Sequence, residues 1–230
     1  MWKNHYKKAV TFSFDDGIMQ DIKLIELLDK YNLKATFHIN SGLAKKGTSF
    51  QIDHVQVDHI LLKDIPSVYQ KHEVAMHSYT HPNMTELSTE DIFYQIDKDQ
   101  KTLEKIMGYQ PIGFAYPYGL YNQEIIDILD KHHIAYARTI ESTYLFDLPK
   151  NTLTFHPTAD IHDPKLKELI KLFLSNESQD DALLSIWGHS YEFDQFQSWD
   201  YLEEILKLLS HHQDVYYGTL REVIIDHHHD

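Results

Sequence analysis

Asp15 and Asp16 stand side by side in TFSFDDGIMQ, residues 11–20, at the end of an alternating apolar run. Carboxylates accept protons and bind cations, and neighbouring side chains on an extended backbone point in different directions. One acid can therefore reach a metal while the other faces a substrate. Asp-Gly is also a favoured hairpin turn. That reading needs a second strand after Gly17, whereas a helical pattern follows, so the plain alternative is a strand-to-helix turn with a helix cap. Further on, HSYTHP sets His77 and His81 four residues apart. On one helical turn both imidazoles face the same way and can share a metal, and Pro82 ends that turn. With 17 histidines in the chain, such a spacing also arises by chance, so the pair gains weight only from its position. Two His nitrogens and one Asp oxygen leave open positions on Zn²⁺ or a similar ion, as metal-assisted hydrolysis requires.

The totals limit the alternatives. A chain of 230 residues, 42% hydrophobic and 13% aromatic, can bury a substantial core and suits one large domain or two small ones; the strand and helix pattern described next suits one, over 1–230. No cysteine is present, which excludes disulfides and thiolate metal sites. A formal net charge of −14 argues against nucleic acid or an anionic membrane as the main partner. No apolar run is long enough to span a membrane. MWKNHYKKAVTFSF lacks the apolar core and cleavage site of a signal peptide. As it stands the sequence reads as cytoplasmic; a chain whose export signal had been removed, secreted or on the cell surface, would look the same.

Strand-like and helix-like segments take turns to position these residues. Strands are expected at 9–14, 34–39, 73–77, 112–116, 134–138, 152–155, 183–187 and 214–217. Helices are expected at 21–31 and at 88–108, the latter capped by Ser88 with Asp91 and stopped by Gly108. Others follow the caps Asn122, Asp163 with Pro164, and Ser198. Residues 41–72 are less regular, with a helix inside DHILLKDIPSVYQKH broken near Pro66. Seven or eight such units predict an α/β fold, a single distorted (β/α) barrel, with an open doubly wound sheet as the alternative.

In a β/α barrel the chemistry collects at the C-terminal ends of the strands. Asp15 and Asp16, His77, the Tyr116-Pro117-Tyr118 stretch, Arg138, and Gly188-His189 all fall at that end of successive strands. This convergence carries more weight than any single motif.

TFSFDDG, HSYTH, AYPYG and LLSIWGHS, in this order over about residues 9–190, resemble the polysaccharide deacetylase family, the NodB-homology carbohydrate esterases. The resemblance implies a NodB-like deformed barrel and hydrolysis of acetyl groups on carbohydrate. It implies that Asp15 is the general base, that Asp16, His77 and His81 are metal ligands, and that His189 is the general acid. It further implies that Tyr118, after Pro117, offers a backbone N–H to the oxyanion, and that Trp187 lines the acetyl pocket. The implied cofactor is one divalent ion, Zn²⁺ first, then Co²⁺, Ni²⁺ or Mn²⁺.

Two departures qualify the match. The family's third-motif arginine is Ala115 here, and the Asp/Trp motif that usually holds the acid histidine has no clear match. The chain has only two arginines, Arg138 and Arg221, and Arg138 ends the next strand. Arg138 is therefore expected to replace the missing guanidinium and keep Asp15 ionised and oriented. The rival readings are a non-catalytic carbohydrate-binding relic and a metal-dependent hydrolase of a non-sugar amide. His156, Asp160 and His162 are weaker candidates for the cleft rim. Tyr191 and Phe193 could stack on sugars or belong to the core, and the tail DHHHD is a site for adventitious metal.

Overall fold

The first strand, β1 (Lys8–Asp16), is buried along its whole length and organises the sheet. Side chains alternate across a strand. Val10, Phe12 and Phe14 join the main apolar cluster outside the sheet, while Ser13 and Asp15 point inward to meet Arg138 from the far wall. One edge of β1 pairs with β9 (Ala182–Gly188). Its other edge is shared by β10 (Val215–Tyr217) at Lys8–Val10 and β2 (Ala35–Ile39) at Phe12–Asp16. Beyond β2 lie β5 (Glu73–Met76), β6 (Gly113–Ala115) and β7 (Tyr136–Arg138); beyond β9 lies β8 (Ala159–Asp160). All eight strands are parallel, and the sheet curls into a half-barrel. The computed structural model describes residues 2, 6–175 and 181–226; the histidine-rich tail from residue 227 onward lies outside them.

Helices cover the outer face. Leu24 and Leu28 of α1 (Asp21–Lys30), Ile92, Ile96 and Leu103 of α3 (Thr89–Met107), and Ile125 and Leu129 of α4 (Gln123–Lys131) pack on it. So do Leu166 and Ile170 of α5 (Leu166–Ser175) and Leu202 and Ile205 of α7 (Trp199–Leu209). α3 has the expected ends: the Ser88 hydroxyl accepts from the Asp91 N–H, and Gly108 closes it at φ 74°. Asn122 likewise caps α4 through the Ile125 N–H at 3.0 Å. A smaller cluster of Ala9, Tyr136, Phe155 and Leu183 fills the barrel at the end opposite Asp15.

Four expectations need correction. Residues 41–72 contain a β-hairpin, β3 (Ser49–Ile52) and β4 (Val55–Asp58), turned at Asp53 with φ 48°. The helix there is the single turn α2 (Ile65–Val68), and Pro66 starts it instead of breaking it, because a first-turn proline lacks only an N–H that would go unbonded anyway. Residues 152–155 form no strand: the Asn151 side chain accepts from Leu153 N–H and winds Thr152–Thr154 into a 3-10 turn. Phe155 then makes one parallel bridge to Arg138, so an irregular segment fills the seam between β7 and β8. Ser198 does not cap α7, since its hydroxyl is engaged by His162 Nε2 at 2.9 Å. A further short helix, α6 (Tyr191–Gln195), follows β9 directly.

The turn out of β1 aims the acids. Asp16 and Gly17 both have left-handed backbone, at φ 82° and 70°. Asp16 adopts it against its Cβ, a strained state that the surrounding contacts must hold. At Gly17 a Cβ would stand 2.9 Å from Ile39 Cγ2. Gly17→Ala is therefore expected to cost about 1–3 kcal/mol, from backbone strain and overpacking together. Urea unfolding measures it, and an unchanged midpoint would show that the turn is not constrained as described.

Candidate active site

Asp15 is buried at the mouth of the barrel, 2% exposed, and is gripped from three sides. Arg138 Nη2 contacts both carboxylate oxygens, Oδ2 at 2.5 Å. His38 Nδ1 lies 3.4 Å from Oδ1, and His77 Nε2 lies 3.9 Å from Oδ2. Burial alone would raise the Asp15 pKa; the Arg138 guanidinium, then His77 and His38, overcome it and hold the carboxyl well below its ordinary range. Arg138 is itself 1% exposed and spends its other donors on Ser13 Oγ (2.8 Å) and the Thr139 carbonyl (2.9 Å). It is the register partner of Ala115, so the guanidinium stands one strand over from the position where the family arginine was expected.

Asp16 turns the other way, toward His77 and His81. Its Oδ1 is 3.8 Å from His77 Nε2 and 3.9 Å from His81 Nε2. The two imidazoles meet without the expected helical turn. Ser78 and His81 take left-handed backbone, at φ 64° and 56°, and Ser78 Oγ accepts from the His81 N–H at 3.1 Å. Pro82 disfavours helix at His81, and this looped bend puts the ring centroids 4.7 Å apart. His77 Nδ1 faces the Ala115 carbonyl at 2.8 Å, which makes Nδ1 the protonated nitrogen and leaves the Nε2 lone pair free. Burial drives the His77 pKa down to about 4, so the ring stays neutral, as a ligand must. Buried Asp99 on α3 secures this corner by accepting the Ser41 N–H at 3.0 Å and the His77 N–H at 3.3 Å.

The donor atoms of Asp16, His77 and His81 all lie within 4.8 Å of one another. Two imidazoles and one carboxylate with no thiolate suit Zn²⁺ and its first-row neighbours, and a carbonyl behind one imidazole is the usual outer support of such a site. By donor chemistry the residues fit a divalent ion.

The opposite wall comes from β9 and its exit. Trp187 is 8% exposed, with the Arg138 guanidinium 4.8 Å from its ring centre. His189 donates its backbone N–H to Glu192 Oε2 at 3.1 Å, and its Nδ1 is 3.3 Å from Glu192 Oε1. Burial would lower the His189 pKa, but Glu192 and the Asp16 and Asp15 charges raise it to about 9. Tyr118 sits in a 3-10 turn begun by Pro117, at φ 58°, with its exposed ring against His81. These groups line one cavity of about 410 Å³, whose apolar side includes Leu43, Phe50 and Ile140.

Asp15, Asp16, His77, His81, Tyr118, Trp187 and His189 thus share a cavity, with Arg138 directly behind Asp15 and Pro117 beneath Tyr118. Tyr191 lines it too, whereas Phe193 is core. His156 points elsewhere, bonded to Thr139 Oγ1 at 2.6 Å beside a separate surface cavity. Four participants were missed: His38, Asp99, Glu192, and the hairpin with its Phe50. Glu192 had a readable signal, lying three residues after His189 at a helix start. His38 and Asp99 had none, since an inward histidine on a strand and an acid within a helix look ordinary.

A family model described as polysaccharide deacetylase matches residues 3–137. Among curated proteins, the uncharacterized protein YlxY of Bacillus subtilis is 33% identical over 106 residues, covering 46% of this chain and 29% of that one. The peptidoglycan-N-acetylglucosamine deacetylase PgdA of Listeria monocytogenes is 28% identical over 129 residues, 52% of this chain and 23% of that one. The chain thus spans less than a third of the length of these two relatives. A solved Mycobacterium smegmatis structure superposes with a TM-score of 0.72 at 16% identity, covering 99% of this chain and 92% of that one, a likeness of fold. With more than half of its length matched by the family model, the chain belongs to the polysaccharide deacetylase family.

Proposed function

We propose that the protein is a metal-dependent hydrolase that removes acetyl groups from N-acetylated, or O-acetylated, sugars or polysaccharides. One observation carries the reading. The Asp16, His77 and His81 donors converge in a single cavity, with the Arg138-clamped Asp15 on one side and His189 on the other. Family membership and the peptidoglycan deacetylase among its relatives support carbohydrate as the substrate class. The net charge of −14 gives no support to a nucleic-acid partner, and no helix among the described residues is long and apolar enough to cross a membrane.

Asp16, His77 and His81 would hold the ion, Zn²⁺ first among the candidates. When bound, a divalent ion supplies Lewis-acid polarisation of the acetyl carbonyl and makes water more acidic. Asp15 takes the proton of the attacking water; it stays ionised across the working range because Arg138 holds it so. The Tyr118 backbone N–H serves the tetrahedral oxyanion, and Trp187 walls the acetyl methyl. His189 protonates the leaving nitrogen, without which an amide anion would be a very poor leaving group. Its raised pKa keeps it charged through neutral pH.

Ala115 favours a second reading, a carbohydrate-binding relic. Against it, Arg138, the register partner of Ala115, brings a guanidinium to Asp15 and supports the reading that it takes the place of the family arginine.

Zinc-loaded protein is expected to release acetate from a panel of N-acetyl sugars, acetylated oligosaccharides and small amides. Release from small amides alone would point to a non-sugar hydrolase, and no release by metal-replete protein would establish the relic. Asp15→Asn should keep the metal and lose nearly all turnover; full activity would remove Asp15 as base. kcat/KM should stay level through neutral pH and fall at alkaline pH, where His189 loses its proton.

Arg138→Ala should cut turnover and destabilise the fold by about 3–5 kcal/mol, because it leaves a carboxylate buried without its counter-charge. In the wild type the depressed Asp15 pKa contributes stability above its unfolded value and loses it as pH falls through the folded one. Without Arg138 the largest charge that holds this pKa down is gone, so the Asp15 contribution should shrink and the stability of the variant should depend less on pH in the acid range. Unfolding midpoints across pH, read beside turnover, test both; unchanged values would refute the clamp.

A further inference from the structure

The resemblance leaves His189 without an assigned residue to hold it. The structure fills that gap from an unexpected direction. Glu192 is three residues beyond His189, in the first turn of α6, and folds back over the end of β9. One carboxylate grips both the backbone N–H of His189 (3.1 Å) and its Nδ1 (3.3 Å). With Nδ1 engaged, Nε2 is the nitrogen left to serve the cavity that His189 lines.

Glu192 is itself braced. His162 Nδ1 lies 3.5 Å from Oε2, and His162 Nε2 lies 2.9 Å from Ser198 Oγ. Asp160 Oδ1 accepts the His162 N–H at 2.7 Å, and the rings of Phe193 and Phe196 pack on the imidazole, each at 5.1 Å. Gly188 lets these parts close up, since a Cβ there would stand 2.5 Å from Ile161 Cγ2 and 3.4 Å from Glu192 Oε2. The turn carrying His189 is anchored independently. Ser190 Oγ donates to buried Asp21 at 2.6 Å, and Asp21 also holds Tyr69 Oη (2.6 Å) and the Ile18 N–H (3.1 Å).

We propose that Glu192 is the positioning residue for His189: braced by His162, its carboxylate fixes the imidazole through Nδ1 and so presents a protonated Nε2 to the substrate's leaving group. This rests on the reading of His189 as proton donor. Asp160, His162 and Glu192 also have the spacing of a metal-binding group. In the present proposal Glu192 is committed to the histidines instead, because its oxygens already face two imidazoles and a backbone N–H.

Several charges act on His189. Asp15 and Asp16 face it from β1, and both contribute to its raised pKa together with Glu192. The Tyr191 ring lies 5.0 Å away; His162 and Asp160 lie beyond Glu192, and Arg138 lies beyond Trp187. All except Glu192 remain in a Glu192→Gln variant, so the difference from wild type isolates the carboxylate.

The test uses the zinc-loaded protein, with ¹⁵N–¹H NMR of the His189 imidazole and acetate release measured in parallel. In Glu192→Gln the protonation midpoint of His189 should fall by about one pH unit or more, with the alkaline limb of kcat/KM falling alongside it. kcat should drop by about tenfold or more with little change in KM, and Glu192→Asp should recover part of the loss. Metal content should equal that of the wild type. His162→Asn keeps the Glu192 charge but removes its brace, should give a smaller shift, and decides the matter if Glu192→Gln does not fold. An unchanged His189 midpoint in whichever variant decides, or loss of one metal equivalent in Glu192→Gln, would overturn the proposal. If the wild type releases acetate from nothing, the deacetylase reading fails while the NMR shift still decides whether Glu192 holds His189.

Discussion

A guanidinium sealed inside a half-barrel must find its counter-charge there, because desolvating an unpaired ion costs several kcal/mol even after relaxation. Arg138 and Asp15 are both almost fully buried, and each is what makes the other tolerable. Their contact crosses the barrel from β7 to β1, so it fixes the mouth as well as the charge. The Arg138 donors reach Asp15, Ser13 and the Thr139 carbonyl, and its flat face lies over Trp187. This explains why β1 carries serine and aspartate inward at its top and alanine lower down, where Tyr136, Phe155 and Leu183 fill the space. An interior built only for stability would be apolar throughout. Here the upper interior is polar because the mouth must hold charges in place.

The pair also constrains the chemistry. A carboxylate held well below its ordinary range is always ready to accept a proton, yet it accepts weakly. In the proposed reaction its contribution would therefore be placement, with the carboxylate fixed at the mouth of the cavity at every working pH. The opposite wall works in the reverse sense, since Glu192, Asp16 and Asp15 keep His189 protonated. One group held ionised and another held protonated across a single cavity is the arrangement that acid–base hydrolysis needs.

Where sequence and structure agree, the information was local or repeated. α3 carried its own cap and stop signals, and β1 its alternation. Polar residues falling at one end of successive strands exposed most of the cavity before any fold was known. That Arg138 is the register partner of Ala115 could not be read from the sequence, because it depends on how β6 and β7 align. The β3–β4 hairpin escaped because Asp53-His54 replaces the usual Asp-Gly turn and the strands have only four residues each. The segment 152–155 misled in the opposite direction. Its threonines and aromatic suit a strand, yet the Asn151 side chain bends it into a turn. His38 and Asp99 act through partners distant in sequence, and nothing local marks them.

The hairpin is more than a wall. Phe50 lines the cavity and meets the Tyr191 ring edge-on at 5.7 Å, and Asp53 takes a hydrogen bond from Gln195 at 2.7 Å. Both partners belong to α6, the helix that carries Glu192. Ile18, just past the acids, packs with Val55 and Val57 of the same hairpin, and His59 bridges to Ile18. One two-stranded insert thus touches the turn that aims Asp16 and the helix that holds His189. The shape of the cavity and the placement of Asp16 and His189 are set by the same contacts. A change in the hairpin that altered the cavity wall would therefore be felt at Glu192 as well, which couples the shape of the cavity to the turn that carries His189 through packing alone.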